Sequence, residues 1–178
     1  MKTTMIMEKD DINRAINRLA AEIIDRNKGT KDLVIIGIRT RGVYVAERLA
    51  KVIEKLENAK IEMGALDITL YRDDIGLAEK MPVLKKTEIP FNIFNKIIIL
   101  VDDVLYTGRT VRAALDAIID FGRPKKIQLC VLVDRGNREL PIRADFVAKK
   151  ITTEYEDKVE VRLEEQDKED RIELKSKV

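Results

Sequence analysis

The 178-residue chain contains no histidine and one cysteine. Without an imidazole, Ser-His triads, histidine acid–base chemistry and histidine metal ligands are all excluded. A lone cysteine, Cys130, rules out an internal disulfide and argues against a cysteine-based metal site. Its place in Ile127-Gln128-Leu129-Cys130-Val131-Leu132-Val133 reads as a small buried strand residue rather than a nucleophile. Met1 to Asp10 lacks an apolar core of signal length, and no apolar run approaches a membrane span, so a cytoplasmic protein with no membrane partner is expected. An excess charge of one sign is also lacking. The 34 basic and 32 acidic residues leave a net charge of +2, so any nucleic-acid site has to be a local patch.

The chain is 45% hydrophobic and 37% charged, enough for one domain with a substantial core and a heavily charged surface. Helical and strand patterns alternate along it. From Asp10 or Asp11, Ile12, Ala15, Ile16, Leu19, Ala20, Ile23 and Ile24 recur at helical spacing, with Gly29 as a stop. Leu33 to Ile38 is a continuous apolar run, as in a strand buried on both faces. A second helix carries Ala46, Leu49, Ala50, Ile53 and Leu56 along one side, and Leu66 to Tyr71 reads as another strand. After a polar stretch from Arg72 to about Pro90 come a strand Ile97–Val101, a helix Val111–Phe121 and a strand Ile127–Val133. This alternation predicts an α/β fold of βαβ units around a mainly parallel sheet flanked by helices. The last two dozen residues are strongly charged and read as a solvated edge strand or a frayed tail.

Chemistry concentrates where the strand ending at Val101 runs into Asp102-Asp103, because ligands of open parallel sheets bind at the carboxyl ends of strands. The turn Thr107-Gly108-Arg109-Thr110 then leads into a helix. Small hydroxyl residues and a glycine there gather backbone N–H groups around a phosphate monoester. Carboxylates just upstream accept hydrogen bonds from a vicinal diol. A diol beside a phosphate describes ribose 5-phosphate. The spacing fits neither Gly-x-x-x-x-Gly-Lys-Ser/Thr nor Gly-x-Gly-x-x-Gly. The competing reading is a loop starting at Asp102-Asp103 with Thr107 or Thr110 capping a helix, which needs neither the acidic pair nor the Thr-Gly-Arg-Thr turn.

Val101 to Thr110 resembles the phosphoribosyl-pyrophosphate (PRPP) signature of type I phosphoribosyltransferases. Three further blocks, Ile38-Arg39-Thr40-Arg41-Gly42, Asp67 to Asp74, and Val131 to Gly136 with Arg138 to Asp145, resemble one subgroup, the bacterial PyrR family. The resemblance implies a regulator that binds pyrimidine operon leader mRNA in response to UMP and promotes transcription attenuation. It also implies uracil phosphoribosyltransferase activity, converting uracil and PRPP to UMP and pyrophosphate. A nucleobase-salvage transferase without an RNA role, or one acting on a purine base, stays open.

The implied architecture is a single type I phosphoribosyltransferase domain over residues 1–178. A mobile flap would cover about 72–90, and a small base-binding hood would use about 134–178 with N-terminal residues. The implied catalytic residues are Asp102, Asp103 and Arg72, with Mg²⁺ held near the two aspartates mainly by substrate and water. Val104, Leu105, Tyr106, Thr107, Gly108, Arg109 and Thr110 would hold the phosphate. Arg39, Thr40, Arg41 and Gly42 would bind pyrophosphate through amides and guanidinium groups. Val133, Asp134 and Arg135 would lie at the base. In the polar stretch, Asp73, Asp74, Lys80, Lys85 and Lys86 accompany Arg72.

For RNA, Arg14 and Arg18 share one side of the first helix, with Arg26 further along, while Arg143, Lys149 and Lys150 form a second basic group. A solvated charged face explains these residues equally well on sequence alone. Asn17 and Ala21 line the same helix side, where further polar contacts would be expected of such a surface. A homodimer or larger homo-oligomer is expected from family habit and exposed apolar helix faces.

Overall fold

The computed structural model of the protein describes residues 1–74 and 84–177. Its organising element is β2 (Leu33–Ile38), in which all six residues are buried. Leu33 and Ile35 pack into a cluster with α1 (Lys9–Asn27) and α2 (Arg41–Glu57), while Val34, Ile36 and Ile38 pack against α3 (Arg109–Ile119) on the other face. Burial on both faces is why the run is continuously apolar rather than alternating. Beside β2 lie β3 (Glu62–Leu66) and β4 (Ile97–Leu105), followed by β5 (Lys126–Asp134) and β6 (Phe146–Lys150). The order is β3-β2-β4-β5-β6, and every neighbouring pair is parallel.

A second, three-stranded sheet is antiparallel, in the order β1-β8-β7. It joins β1 (Lys2–Glu8) to β8 (Arg171–Ser176) and β7 (Lys158–Arg162), with the short helix α4 (Glu164–Asp167) between the last two strands. Met7, Val161, Leu163 and Ile172 seat this sheet on the α1–α2 side of the core. Each such buried aliphatic side chain stabilises the packing by about 1.5–3 kcal/mol.

Several boundaries differ from the sequence expectation. The first helix begins at Lys9 because Glu8 and Asp11 form a capping box, the Glu8 N–H donating to the Asp11 carboxylate at 3.0 Å. Leu66 to Tyr71 is not a strand. β3 ends at Leu66, and Thr69–Tyr71 form a 3-10 turn because the Asp67 carboxylate accepts both the N–H and the hydroxyl of Thr69. Leu56 is 56% exposed and does not continue the apolar stripe of α2. The charged C-terminal end is neither edge strand nor frayed tail at Arg171–Ser176, since β8 is the central strand of its sheet. Half of the polar stretch after Arg72, residues 75–83 including Lys80, lies outside the described residues. Where the chain resumes, Glu88 exchanges two backbone hydrogen bonds with Ala65 on the sheet edge, both at 2.8 Å. Among the described residues no helix is long and apolar enough to cross a membrane.

Candidate active site

β4 does not stop at Val101 but runs on to Leu105, so Asp102 and Asp103 are strand residues at its carboxyl end. Asp102 pairs in register with Val131 of β5. Burial pushes its carboxyl well above the usual carboxylate range, and the neighbouring Asp103 carboxylate pushes it further. Asp102 Oδ1 accepts the N–H of Asp103 at 2.9 Å, and Asp103 Oδ1 accepts that of Val104 at 2.9 Å, which orients both groups. The start of α2 closes on this strand end. A Cβ on Gly42 would lie 2.6 Å from the Val101 carbonyl oxygen and 3.2 Å from the Asp102 Cα, so only glycine permits that approach.

The turn that follows leads into a helix start without a side-chain cap, with Gly108, at φ +94°, preceding α3. The capped-helix alternative therefore fails. Thr107 Oγ1 sits only at 3.4 Å from the Arg109 N–H, leaving the first amides of α3 free to meet a ligand. Thr107, Arg109 and Thr110 line one cavity of about 550 Å³ together with Asp102, Asp103, Val104 and Tyr106. Leu105 is buried beneath it.

Arg39 and Arg72 line the same cavity from its other side, and Ile38, Asp67, Ile68, Thr69, Asp73 and Asp74 complete the wall. Arg39 Nε donates to the Lys86 carbonyl at 2.7 Å, and Lys85 Nζ donates to the Thr40 hydroxyl. Arg72 grips Asp74, while Asp73 pairs with Arg109 at 2.7 Å. Arg109 also donates to Glu139 at 2.7 Å, so two carboxylates hold it on the rim. Asp67 was missed as a wall residue by sequence reasoning, although Asp-x-Thr is the signal of the turn it builds. Burial pushes its carboxyl up, but hydrogen bonds from Thr69 and from the Lys85 N–H at 2.6 Å, with Arg39 nearby, outweigh that and hold it below its ordinary value.

Other sequence-predicted residues stand away from the cavity. Arg41 is turned outward, Nη2 donating to Asp167 at 2.9 Å. Two helical turns on, Arg48 makes paired hydrogen bonds to Glu165 and to Asp170, so α4 is clamped along the first half of α2. Val133 is buried in the α1–α2 cluster. Asp134 is occupied by Arg138 at 2.7 Å, and Arg138 also donates to the Tyr106 and Ile142 carbonyls. Arg135, 5% exposed, donates to the Thr153 hydroxyl at 3.1 Å and the Glu154 carbonyl at 2.9 Å, with its guanidinium 3.9 Å from the Tyr106 ring centroid.

The fold brings one member of the second basic group, Lys149, beside Arg14 and Arg18. Arg14, Arg18 and Lys149 line a single concavity of about 480 Å³ where α1 crosses β6. Arg18 Nη2 donates to the Ala148 carbonyl at 2.7 Å, and Arg14 pairs with Asp11. Arg26 sits further along, paired with Asp145 at 3.2 Å and over the Phe146 ring. Arg143 and Lys150 are exposed on the same chain segment as Lys149.

Residues 2–166 match the family described as phosphoribosyl transferase domain. Proteins named bifunctional protein PyrR are close relatives. That of Pelotomaculum thermopropionicum is 59% identical, covering 94% of this chain and 92% of that one. The Deinococcus radiodurans protein is 56% identical over 95% and 92%, and the Bacillus cereus protein 54% over 97% and 97%. Among solved structures, a Trypanosoma cruzi hypoxanthine phosphoribosyl transferase superposes with a TM-score of 0.72 at 20% identity, covering 95% of this chain and 89% of that chain. A Staphylococcus aureus hypoxanthine phosphoribosyltransferase gives 0.68 at 21% identity, over 98% and 92%. At such identities these two speak for the fold alone. Family match and close relatives agree, and the chain belongs to the PyrR family of type I phosphoribosyltransferases.

Proposed function

We propose that the protein transfers phosphoribose from PRPP to uracil, releasing pyrophosphate and forming UMP. We further propose that UMP in the same site promotes binding to the leader mRNA of a pyrimidine operon and so transcription attenuation. The observation that carries the reading is the single cavity in which Asp102 and Asp103 stand beside the uncapped start of α3. A phosphate would be held by the amides and hydroxyls of Thr107 to Thr110, and the ribose diol by the aspartates. Arg39 and the Lys85–Thr40 contact flank the place left for pyrophosphate.

Transfer at a glycosyl carbon passes through an oxocarbenium-like transition state, so the work of the protein is positional and electrostatic. Asp102, held toward its neutral form, suits hydrogen bonding to a ribose hydroxyl. Asp103, half-buried and nearer the phosphate turn, is the better group to face the developing positive charge. Among the described residues no cluster of three or more acidic, histidine or cysteine side chains could hold a metal ion. That donor set fits Mg²⁺ arriving with PRPP, with most of its ligands supplied by substrate oxygens and water near Asp102 and Asp103. When bound, Mg²⁺ would neutralise the leaving pyrophosphate.

For RNA, the concavity of Arg14, Arg18 and Lys149, extended by Arg26, Arg143 and Lys150, offers the local basic patch that the low net charge requires. Assembly into a homodimer or larger oligomer in the cytoplasm completes the reading. Oligomerisation is supported by the exposed large apolar side chains of Leu70, Leu84, Ile119 and Phe121. A PRPP-dependent assay across uracil, hypoxanthine, guanine and orotate, with leader-RNA binding measured with and without UMP, tests both halves. Turnover of uracil and UMP-enhanced binding are expected. Use of another base in preference, or binding indifferent to UMP, would overturn the corresponding half.

A further inference from the structure

Arg112 is not among the described residues that line the main cavity, yet it ties together two segments that are. It closes the first turn of α3, where its N–H donates to the Gly108 carbonyl at 2.9 Å and keeps it in step with the Thr107–Thr110 turn. Its guanidinium reaches outward from the helix. Nη2 donates to the Tyr71 carbonyl at 3.0 Å, and Nη1 donates to Asp116, one turn further along α3, at 3.0 Å. The Tyr71 hydroxyl donates to Asp120 at the end of the same helix, so Tyr71 is fixed to α3 through both its backbone and its side chain. Asp73 lies 2.7 Å from Arg109 Nη1 and 3.9 Å from Arg112 Nη2. The residues on either side of Arg72 are thus both anchored to α3, while Arg72 itself lines the cavity.

The carbonyl that Arg112 holds belongs to the peptide unit joining Tyr71 to Arg72. A peptide unit is planar, so fixing the direction of its C=O fixes the direction in which the chain enters Arg72. The 3-10 turn ends there, with Arg72 extended at φ −69° and ψ 136°, so a bond from outside the turn sets its course. We propose that Arg112 is a positioning residue for Arg72. It holds the Tyr71–Arg72 peptide at a set distance from the Thr107–Thr110 turn, so that the Arg72 guanidinium meets a substrate seated in that turn. The proposal rests on the phosphoribosyl-transfer reading above, with Arg72 acting in the reaction. Arg112 touches no substrate in this scheme, yet a reacting group displaced by about 1 Å costs on the order of 100-fold in rate.

The test is a double-mutant cycle read in steady-state kinetics with uracil and PRPP, using Arg112→Met, Arg72→Ala and the two combined. Arg112→Met alone should lower kcat by about 10- to 100-fold. In the Arg72→Ala background the same change should cost nothing further, since no guanidinium is then left to place. Urea unfolding checks that each variant is folded under the assay conditions. Where the methionine variant is not, Arg112→Gln takes its place in the cycle. Effects that multiply in the double variant would show a general structural role and overturn the proposal. So would an unchanged kcat in a folded Arg112 variant, or an Arg72→Ala protein as active as the parent, which would leave nothing to position. Failure of the parent to form UMP at all is a different result, and it defeats the proposed function instead.

Discussion

Arg48→Ala should unclamp α4 from α2, and the structure sets the size of the effect. Arg48 Nε and Nη2 reach Glu165 at 2.8 and 2.6 Å, while Nη1 and Nη2 reach Asp170 at 2.9 and 2.7 Å. The Arg48 side chain is 16% exposed and that of Asp170 only 2%, so removing the guanidinium strands a buried carboxylate. What then remains to Asp170 is the Glu164 N–H at 2.8 Å. Breaking a buried pair from one side costs about 3–5 kcal/mol. Glu165, about one-third exposed, regains water, which places the loss at the lower end, about 3 kcal/mol.

For a chain of this length that corresponds to a Tm lowered by roughly 6–12 °C. Urea unfolding at fixed protein concentration, with scanning calorimetry beside it, measures the loss without confusing it with subunit dissociation. Partners and pH supply the controls. Contacts with Arg48 hold the Glu165 carboxyl below its ordinary value, and they outweigh burial to do the same for Asp170. The stabilisation is therefore present above the unfolded carboxylate pKa values, about 4, and is lost as pH falls through the depressed folded ones. The cost of Arg48→Ala should shrink in acid. The triple variant Arg48→Met, Glu165→Gln, Asp170→Asn should recover most of it. A loss below about 1 kcal/mol at neutral pH, or one equally large in acid, would refute the reasoning.

Gly42→Ala should cost about 1–3 kcal/mol by overpacking against Val101 and raise the KM for PRPP by about tenfold or more, since the turn before α2 must shift. A normal KM in the folded variant counts against the close-approach argument. Asp103→Asn should lower kcat by about 10²–10³-fold while a fluorescent nucleotide still binds, and unchanged steady-state kinetics would remove Asp103 from the chemistry. Arg18→Ala should reduce the slope of leader-RNA affinity against salt by about one. Salt-insensitive binding by the parent would dismiss the α1–β6 patch.

Legibility in the sequence followed burial. β2 matches its predicted bounds because both of its faces are covered, leaving an uninterrupted apolar run. β1 escaped notice because only Met7 of its seven residues is buried, so no period-2 signal arises. The Leu66–Tyr71 segment misled for the opposite reason. Its composition is strand-like, yet Leu70 is 69% exposed and the local bonds of Asp67 bend the chain. At the site, Asp102, Asp103 and the Thr107–Thr110 turn were readable because their chemistry lies in contiguous residues. The partners of Arg41 and Arg48 were not, since Asp167, Glu165 and Asp170 come more than a hundred residues later. The support of Tyr106 by Arg135 and Tyr155 is equally a product of tertiary contact.

The pairing of β1 with β8 also has a bearing on the order of assembly. β1 begins at Lys2 and its partner strand ends at Ser176, so the smaller sheet closes the longest loop in the molecule. Long-range pairings form late, because their loop-closure entropy is met only after local structure exists. During synthesis, the parallel strands carrying Asp102, Asp103 and the phosphate turn can pack while β8 is still unmade. Only then can Asp167 and Asp170 reach Arg41 and Arg48. The proposed phosphate-holding floor is thus available to a nascent chain before the clamp beside Arg39–Gly42, and ligand added during refolding should speed the earlier step and not the closing one.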